Sequence, residues 1–218
     1  MSPRPRTVSD DQIFAATARA VTRLGPARMT LADVGDAVGL SAAALVQRFG
    51  SKRGLLLAFV SSAPGQADEC FVRVRSAHAS PIAALIAAAL EGAQHVSSPD
   101  ELANSVAFLQ MDLTDPDFRR PALANLKQVL AGYESLIRDA IDAGELAECN
   151  AARLARTLHA VVGGSLINWA IHRDGALTTT VRRDIETLLG PLRTTAARHR
   201  TNSRSRIARA KTSSSHKR

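Results

Sequence analysis

The chain has 218 residues, 45% hydrophobic and 22% charged, enough to bury a sizeable core without disulfides or metal. Its 2 cysteines, Cys70 and Cys149, are far apart and form no CxxC pair, the start is polar, and no apolar run reaches membrane length. This excludes a disulfide framework, a zinc ribbon and a spanning helix, and a cytoplasmic protein is expected. The net charge of +8 is unevenly divided: residues 1–60 hold 8 Lys/Arg against 4 Asp/Glu, residues 61–192 hold 11 against 16, and residues 193–218 hold 9 against none.

In chain order the sequence reads as all-α, because Ala and Leu dominate and no stretch alternates apolar with polar residues. From Ser9, the residues Ile13, Ala16, Ala20 and Leu24 recur at helical spacing until Gly25-Pro26 stops them. A short helix then runs from Leu31 to Val38 and ends at Gly39. Another runs from about Ser41 to Phe49 and ends at Gly50, and a fourth opens at Ser51. A break is expected at Ala63-Pro64-Gly65, followed by helices near 65–78, 82–96, 100–113, 117–143, 150–173 and 178–196. Pro121 either sits in the first turn of the fifth of these or breaks it. Three parts follow: a three-helix domain over 1–60, a larger helical domain over 61–197, and a basic, apolar-poor tail over 198–218 that is expected to be disordered.

The informative run is residues 29–53. Thr30 with Asp33 three residues on resembles a capping box, fixing where the first short helix begins. Leu31, Val34, Val38, Leu45 and Phe49 supply a buried seam, and Gly39 permits the positive φ of a tight turn. Two short helices joined by a Gly turn make a helix-turn-helix, whose second helix enters a major groove. On that helix Ala42, Ala43, Val46 and Gln47 are expected to face outward. An exposed helix face that is small and nearly uncharged suits close approach to a groove, with Gln47 able to pair with adenine and Ala or Val with thymine methyls. The alternative is a tolerant surface, or packing on another helix.

Ser51-Lys52-Arg53 puts two cations in a helix's first turn, against its dipole. A docked phosphate would account for that, and so would screened surface charge.

Over its first 60 residues the sequence resembles the TetR-type transcriptional regulators: an apolar helix, Gly25-Pro26, Met29-Thr30-Leu31-Ala32-Asp33-Val34, Gly39-Leu40-Ser41, Leu45, and Phe49-Gly50-Ser51-Lys52. The resemblance implies a homodimeric, non-enzymatic repressor that binds a near-palindromic duplex operator and is released by a small molecule. It also implies phosphate-side roles for Thr30, Ser41 and Lys52. The chain departs from the pattern within the recognition helix, where Ala44 and Val46 stand in place of a Thr and a Tyr that commonly contact phosphates, and Arg48 in place of a frequent aromatic. Arg48 is expected to restore part of that anchoring.

For the acidic domain the resemblance implies an effector pocket among helices spanning about 80–172. Phe108, Met111, Leu136, Trp169 and His172 are candidates for its wall, although apolar or aromatic residues at helical spacing are more often plain core. Leu158, Val162 and Leu166 are candidates for the dimer interface, beside Gly163-Gly164. That pair either admits a partner helix or serves a contact or pocket within the chain. His95, His159 and His172 show no metal-ligand spacing, no catalytic constellation is visible, and no cofactor is expected. The tail either attracts duplex phosphate or is an inert appendage. A ligand-independent regulator or an activator on the same fold is the alternative reading.

Overall fold

A computed structural model describes residues 8–194, with the side chain of His95 left aside. Residues 1–7 and 195–218 are outside it, and the expected basic tail falls among them. The described residues form nine α-helices: α1 (Asp10–Arg28), α2 (Leu31–Val38), α3 (Ala42–Phe49), α4 (Lys52–Ala77), α5 (Pro81–Leu90), α6 (Pro99–Thr114), α7 (Pro116–Asp142), α8 (Ala151–His172) and α9 (Leu177–Leu189). Short 3-10 turns follow α5 at Gly92–His95 and α9 at Gly190–Leu192. The all-α expectation holds, and no described helix is long and apolar enough to cross a membrane.

Side-chain caps decide where most helices start. Ser9 and Gln12 form a reciprocal box at α1, Thr30 and Asp33 another at α2, and Ser41, Ser51, Ser80, Ser98, Asp115 and Asn150 cap later helices. Gly25, at φ 77° and ψ 156°, breaks α1 before its final turn, where the sequence places the stop.

Two expectations about prolines need correction. No break occurs at Ala63-Pro64-Gly65, because α4 runs unbroken through Pro64, so residue 60 lies in mid-helix. Pro121 neither sits in the first turn of α7 nor breaks it, since the helix starts with Pro116 and continues past Pro121 to Asp142. Long apolar packing faces on both helices outweigh the loss of one backbone bond each. α4 lies along α7, and α1 lies against α6.

Two apolar clusters result. The larger gathers Leu85, Leu136, Ile137, Leu158, Trp169, Val181 and Ile185 from α5 and α7 to α9. The smaller gathers Ile13, Phe14, Met29, Val34, Leu45, Leu55 and Leu56 with Phe108 of α6 and Phe118 of α7. The N-terminal core therefore includes two residues from well beyond the first four helices, Phe108 of α6 and Phe118 of α7. Five of the 6 phenylalanines form one continuous series: Phe49–Phe14 at 6.1 Å, Phe14–Phe59 at 6.5 Å, Phe59–Phe108 at 6.1 Å and Phe108–Phe118 at 6.1 Å between ring centroids. Such tilted and edge-on pairs add to simple burial.

Candidate nucleic-acid interface

The helix-turn-helix is built around two glycines as well as its caps. Gly39 closes α2 in the left-handed conformation at φ 74° and ψ 31°. Gly35, one turn earlier, is buried, and its carbonyl accepts from the Leu40 N–H at 2.9 Å. A Cβ on Gly35 would overlap the Leu40 carbonyl, and one on Gly54 would overlap the Phe49 carbonyl. Both close approaches compact the turn, and α3 is left with one flank against the core through fully buried Leu45.

Thr30 Oγ1 accepts from the Asp33 N–H at 3.2 Å, and Asp33 Oδ2 accepts from the Thr30 N–H at 2.7 Å. The Thr30 hydroxyl and backbone N–H together hold the Asp33 carboxyl below the usual carboxylate range. Ser41 Oγ accepts from the Ala44 N–H at 3.1 Å. Thr30 and Ser41 both remain exposed.

On α3 itself, Ala43, Val46 and Gln47 are exposed, Val46 to 45%, while Ala42 is half-buried rather than outward-facing as expected. Three described basic residues on or next to α3, Lys52, Arg48 and Arg53, are engaged within the chain. Lys52 Nζ donates to the Ala27 carbonyl at 2.9 Å, at the end of α1. Arg48 donates to the Val8 carbonyl at 2.8 Å and pairs with Asp10 at 2.6 Å, so in this arrangement it braces the entry to α1 rather than standing free as an anchor. Arg53 donates to Asp115 and Asp117, each at 2.8 Å, and lies over the Phe118 ring at 5.4 Å. The Asp115–Asp117 turn between α6 and α7 is thereby tied to the start of α4. Nothing in the local sequence around Arg53 signals this link, because its partners lie 62 and 64 positions away.

The effector-wall candidates are not brought together. Phe108 and Met111 belong to the N-terminal cluster, Leu136 and Trp169 to the larger one, and His172 is exposed. Trp169 spans the gap to the next turn, its Nε1 donating to the Gly175 carbonyl at 3.0 Å. A groove of about 540 Å³ opens instead between the end of α7 and the start of α8, with Glu134, Arg138, Asp142 and Glu148 on its lining. Its walls are too polar for the apolar site that was expected.

The dimer candidates also need revision. Leu158 is fully buried inside the chain and cannot meet a partner, and Val162 and Leu166 are half-buried against the larger cluster. The outward face of α8 is Ala160, Gly163, Gly164, Ile167 and Ile171, the last two 43% and 73% exposed. Among the described residues nothing stands within 4 Å of a Cβ built on either glycine, so no contact between described residues requires them.

A capped helix-turn-helix fused through one long helix to an all-helical body is the arrangement of a TetR-type regulator. Residues 13–59 match the family model for bacterial regulatory proteins of the tetR family. Solved structures extend the likeness to nearly the whole chain. A TetR transcription regulator from Haloarcula marismortui is 21% identical, with a TM-score of 0.68, covering 85% of this chain and 98% of that one. The fatty acid degradation regulator FadR from Bacillus halodurans is 18% identical, TM-score 0.64, covering 85% and 100%. SmeT, the repressor of the Stenotrophomonas maltophilia multidrug efflux pump SmeDEF, is 21% identical, TM-score 0.61, covering 88% and 93%. Among curated protein sequences none matches. The chain is thus TetR-type in the sequence of its N-terminal domain and in its overall fold.

Proposed function

We propose that this chain is a cytoplasmic transcriptional regulator that binds duplex DNA as a homodimer, with α3 in the major groove. The exposed face of α3 carries the reading: Ala43, Val46 and Gln47 present small and amide side chains on a helix whose ends are fixed by Ser41 and Gly50. Ala43 and Val46 offer apolar contact to thymine methyls, and Gln47 offers a bidentate partner for adenine. Thr30, Ser41 and Lys52 lie where phosphates would flank that helix. Lys52 reaches one by exchanging the Ala27 carbonyl for a phosphate oxygen.

Dimerisation is assigned to the outward face of α8, where exposed Ile167 and Ile171 stand beside glycines that leave room for a second backbone. Repression is the mode that fits best, SmeT being described as a repressor, and release by a small molecule is the regulation proposed with it. Constitutive repression or activation is the alternative, and a thermal-shift ligand screen separates them, since a ligand at 100 times its Kd stabilises by about 2.7 kcal/mol.

Selection of duplexes from a random pool tests the central reading. A near-palindromic sequence with half-sites a whole number of helical turns apart is expected. Exchanging Gln47 for Ala should change the base preferred at one position, and Lys52→Ala should weaken all duplexes alike. A pool that enriches no sequence would refute the reading.

A further inference from the structure

Arg53 is the second residue of α4, directly after Lys52, so the helix opens on two cations. No acidic residue of α4 accompanies them in that turn; the carboxylates come instead from the α6–α7 turn. Asp115 Oδ2 and Asp117 Oδ2 each accept from Arg53 Nη2 at 2.8 Å. The turn is shaped independently of Arg53, because Asp115 Oδ1 accepts from the Asp117 N–H at 3.0 Å at the start of α7. Phe118, fully buried in the N-terminal cluster, carries the guanidinium over its ring. The start of α4 therefore already holds two anions on the cation beside Lys52, the residue proposed above to grip a phosphate.

A contact built for stability alone would look different. One carboxylate neutralises a guanidinium, and the strong geometry is a fork of two parallel bonds from two nitrogens. Here two carboxylates converge on a single nitrogen and leave the three groups net negative. The side chains of Arg53 and Asp117 are 50% and 60% exposed, so the contact is screened and free to exchange. A duplex phosphate offers the same kind of anionic oxygen, and duplex DNA carries about one such charge per 1.7 Å of helix axis. Adding a phosphate to the occupied cluster would set a third anion against the first two. The acidic turn and a phosphate therefore exclude one another at Arg53.

Taking the DNA-binding reading above as its basis, we propose that Arg53 is a further phosphate-binding residue and that Asp115 and Asp117 occupy it as an intramolecular competitor. Duplex binding and closure of the α6–α7 turn onto α4 oppose each other, and linkage makes the opposition mutual. The turn lowers affinity for every duplex by the same factor, because phosphates carry no sequence.

The test uses the full chain, the duplex selected from a random pool and a scrambled duplex, with binding read by fluorescence anisotropy between about 50 and 200 mM salt. Asp115→Asn/Asp117→Asn keeps the size of both side chains and the cap on α7, since Asn caps a helix as well as Asp does. This variant should bind both duplexes about tenfold more tightly at the lower salt, and its plot of log K against log salt should steepen by about 0.9 for each phosphate gained. In an Arg53→Ala background the same two substitutions should give a much smaller gain and no added slope. Asp117→Asn alone, at an exposed position that is not the cap, should give part of the gain, and it decides the matter if the double variant melts early. An equal gain in both backgrounds would be a general charge effect, and no gain, or a loss, would mean that the aspartates only hold Arg53 in place. Either result overturns the competition and leaves the DNA-binding reading standing. A pool that enriches no core overturns that reading instead.

Discussion

Asn104 of α6 closes over the break in α1 at Gly25 so tightly that a Cβ on Gly25 would come within 2.8 Å of the Asn104 Oδ1. The amide donates to the Thr22 and Arg23 carbonyls at 2.9 and 3.1 Å, capping the truncated helix from about 80 positions further along the chain. Gly25→Ala would add both this overlap and a backbone conformation that L-residues avoid, at a cost of about 2–4 kcal/mol. Asn104→Ala should cost about 1–2 kcal/mol by leaving those carbonyls unpaired. Chemical denaturation of the two variants checks the order, and a smaller loss for Gly25→Ala would contradict it.

The link from Arg53 to Asp115 and Asp117 has a pH signature. Hydrogen bonding from Arg53, helped by the Asp117 N–H, holds the Asp115 carboxyl below its usual range. A lowered folded value means stabilisation that is fully present above the unfolded value of about 3.9 and lost as pH falls through the folded one. The Tm gap between the natural chain and Arg53→Ala should therefore be constant at neutral pH and shrink below about pH 4. A gap unchanged at pH 3 would show that Arg53 acts only through its packing on Phe118.

Gly35 and Gly39 separate two uses of glycine within four residues. Gly39→Ala meets nothing within 4 Å and pays only for a left-handed φ, about 1–2 kcal/mol. Gly35→Ala drives a methyl into the Leu40 carbonyl and should cost about 3 kcal/mol or more, with loss of duplex binding. Similar melting losses for the two variants would mean that the turn relaxes around a side chain at Gly35.

Asp112 on α6 has a buried oxygen, Oδ1, with no hydrogen-bond partner among the described residues, and burial raises its carboxyl to about 6. The raised value reverses the usual acid trend. Its penalty is absent below about pH 4, grows between pH 4 and 6 and is complete above. Asp112→Asn should be more stable than the natural chain by about 1–2 kcal/mol at pH 7 and indistinguishable from it near pH 4. A pH-independent difference would place the effect elsewhere.

The parts of the fold written in local chemistry were legible in the sequence. Thr30-Asp33, Ser41 and Ser51 cap helices where expected, and Gly25 and Gly39 interrupt them, but α5 ends at Leu90 and α9 at Leu189, well short of the expected 96 and 196. Pro64 misled because tertiary packing along α7 outweighs one missing backbone bond. Leu158 misled because a wide apolar face does not reveal which part meets the core and which meets a partner. The proposed DNA face was legible as a helix, but the self-directed bonds of Arg48, Lys52 and Arg53 were not. Each depends on a group between 25 and 64 positions away for Lys52 and Arg53, and 40 for Arg48. Phe108, expected in the wall of an effector pocket, joins the N-terminal cluster for the same reason, and Phe118 beside it drew no expectation at all.

The phenylalanine series also limits how freely the two halves of this chain can be recombined. A chimera that joins residues 1–60 to the body of a relative would place Phe14 and Phe59 against rings it did not evolve with, and would leave Gly25 without Asn104. To keep its N-terminal core packed in a foreign host, the graft would have to bring the segment from Asn104 to Phe118 along with it. The transferable unit is discontinuous in sequence, and the junction that looks natural at residue 60 is the wrong place to cut.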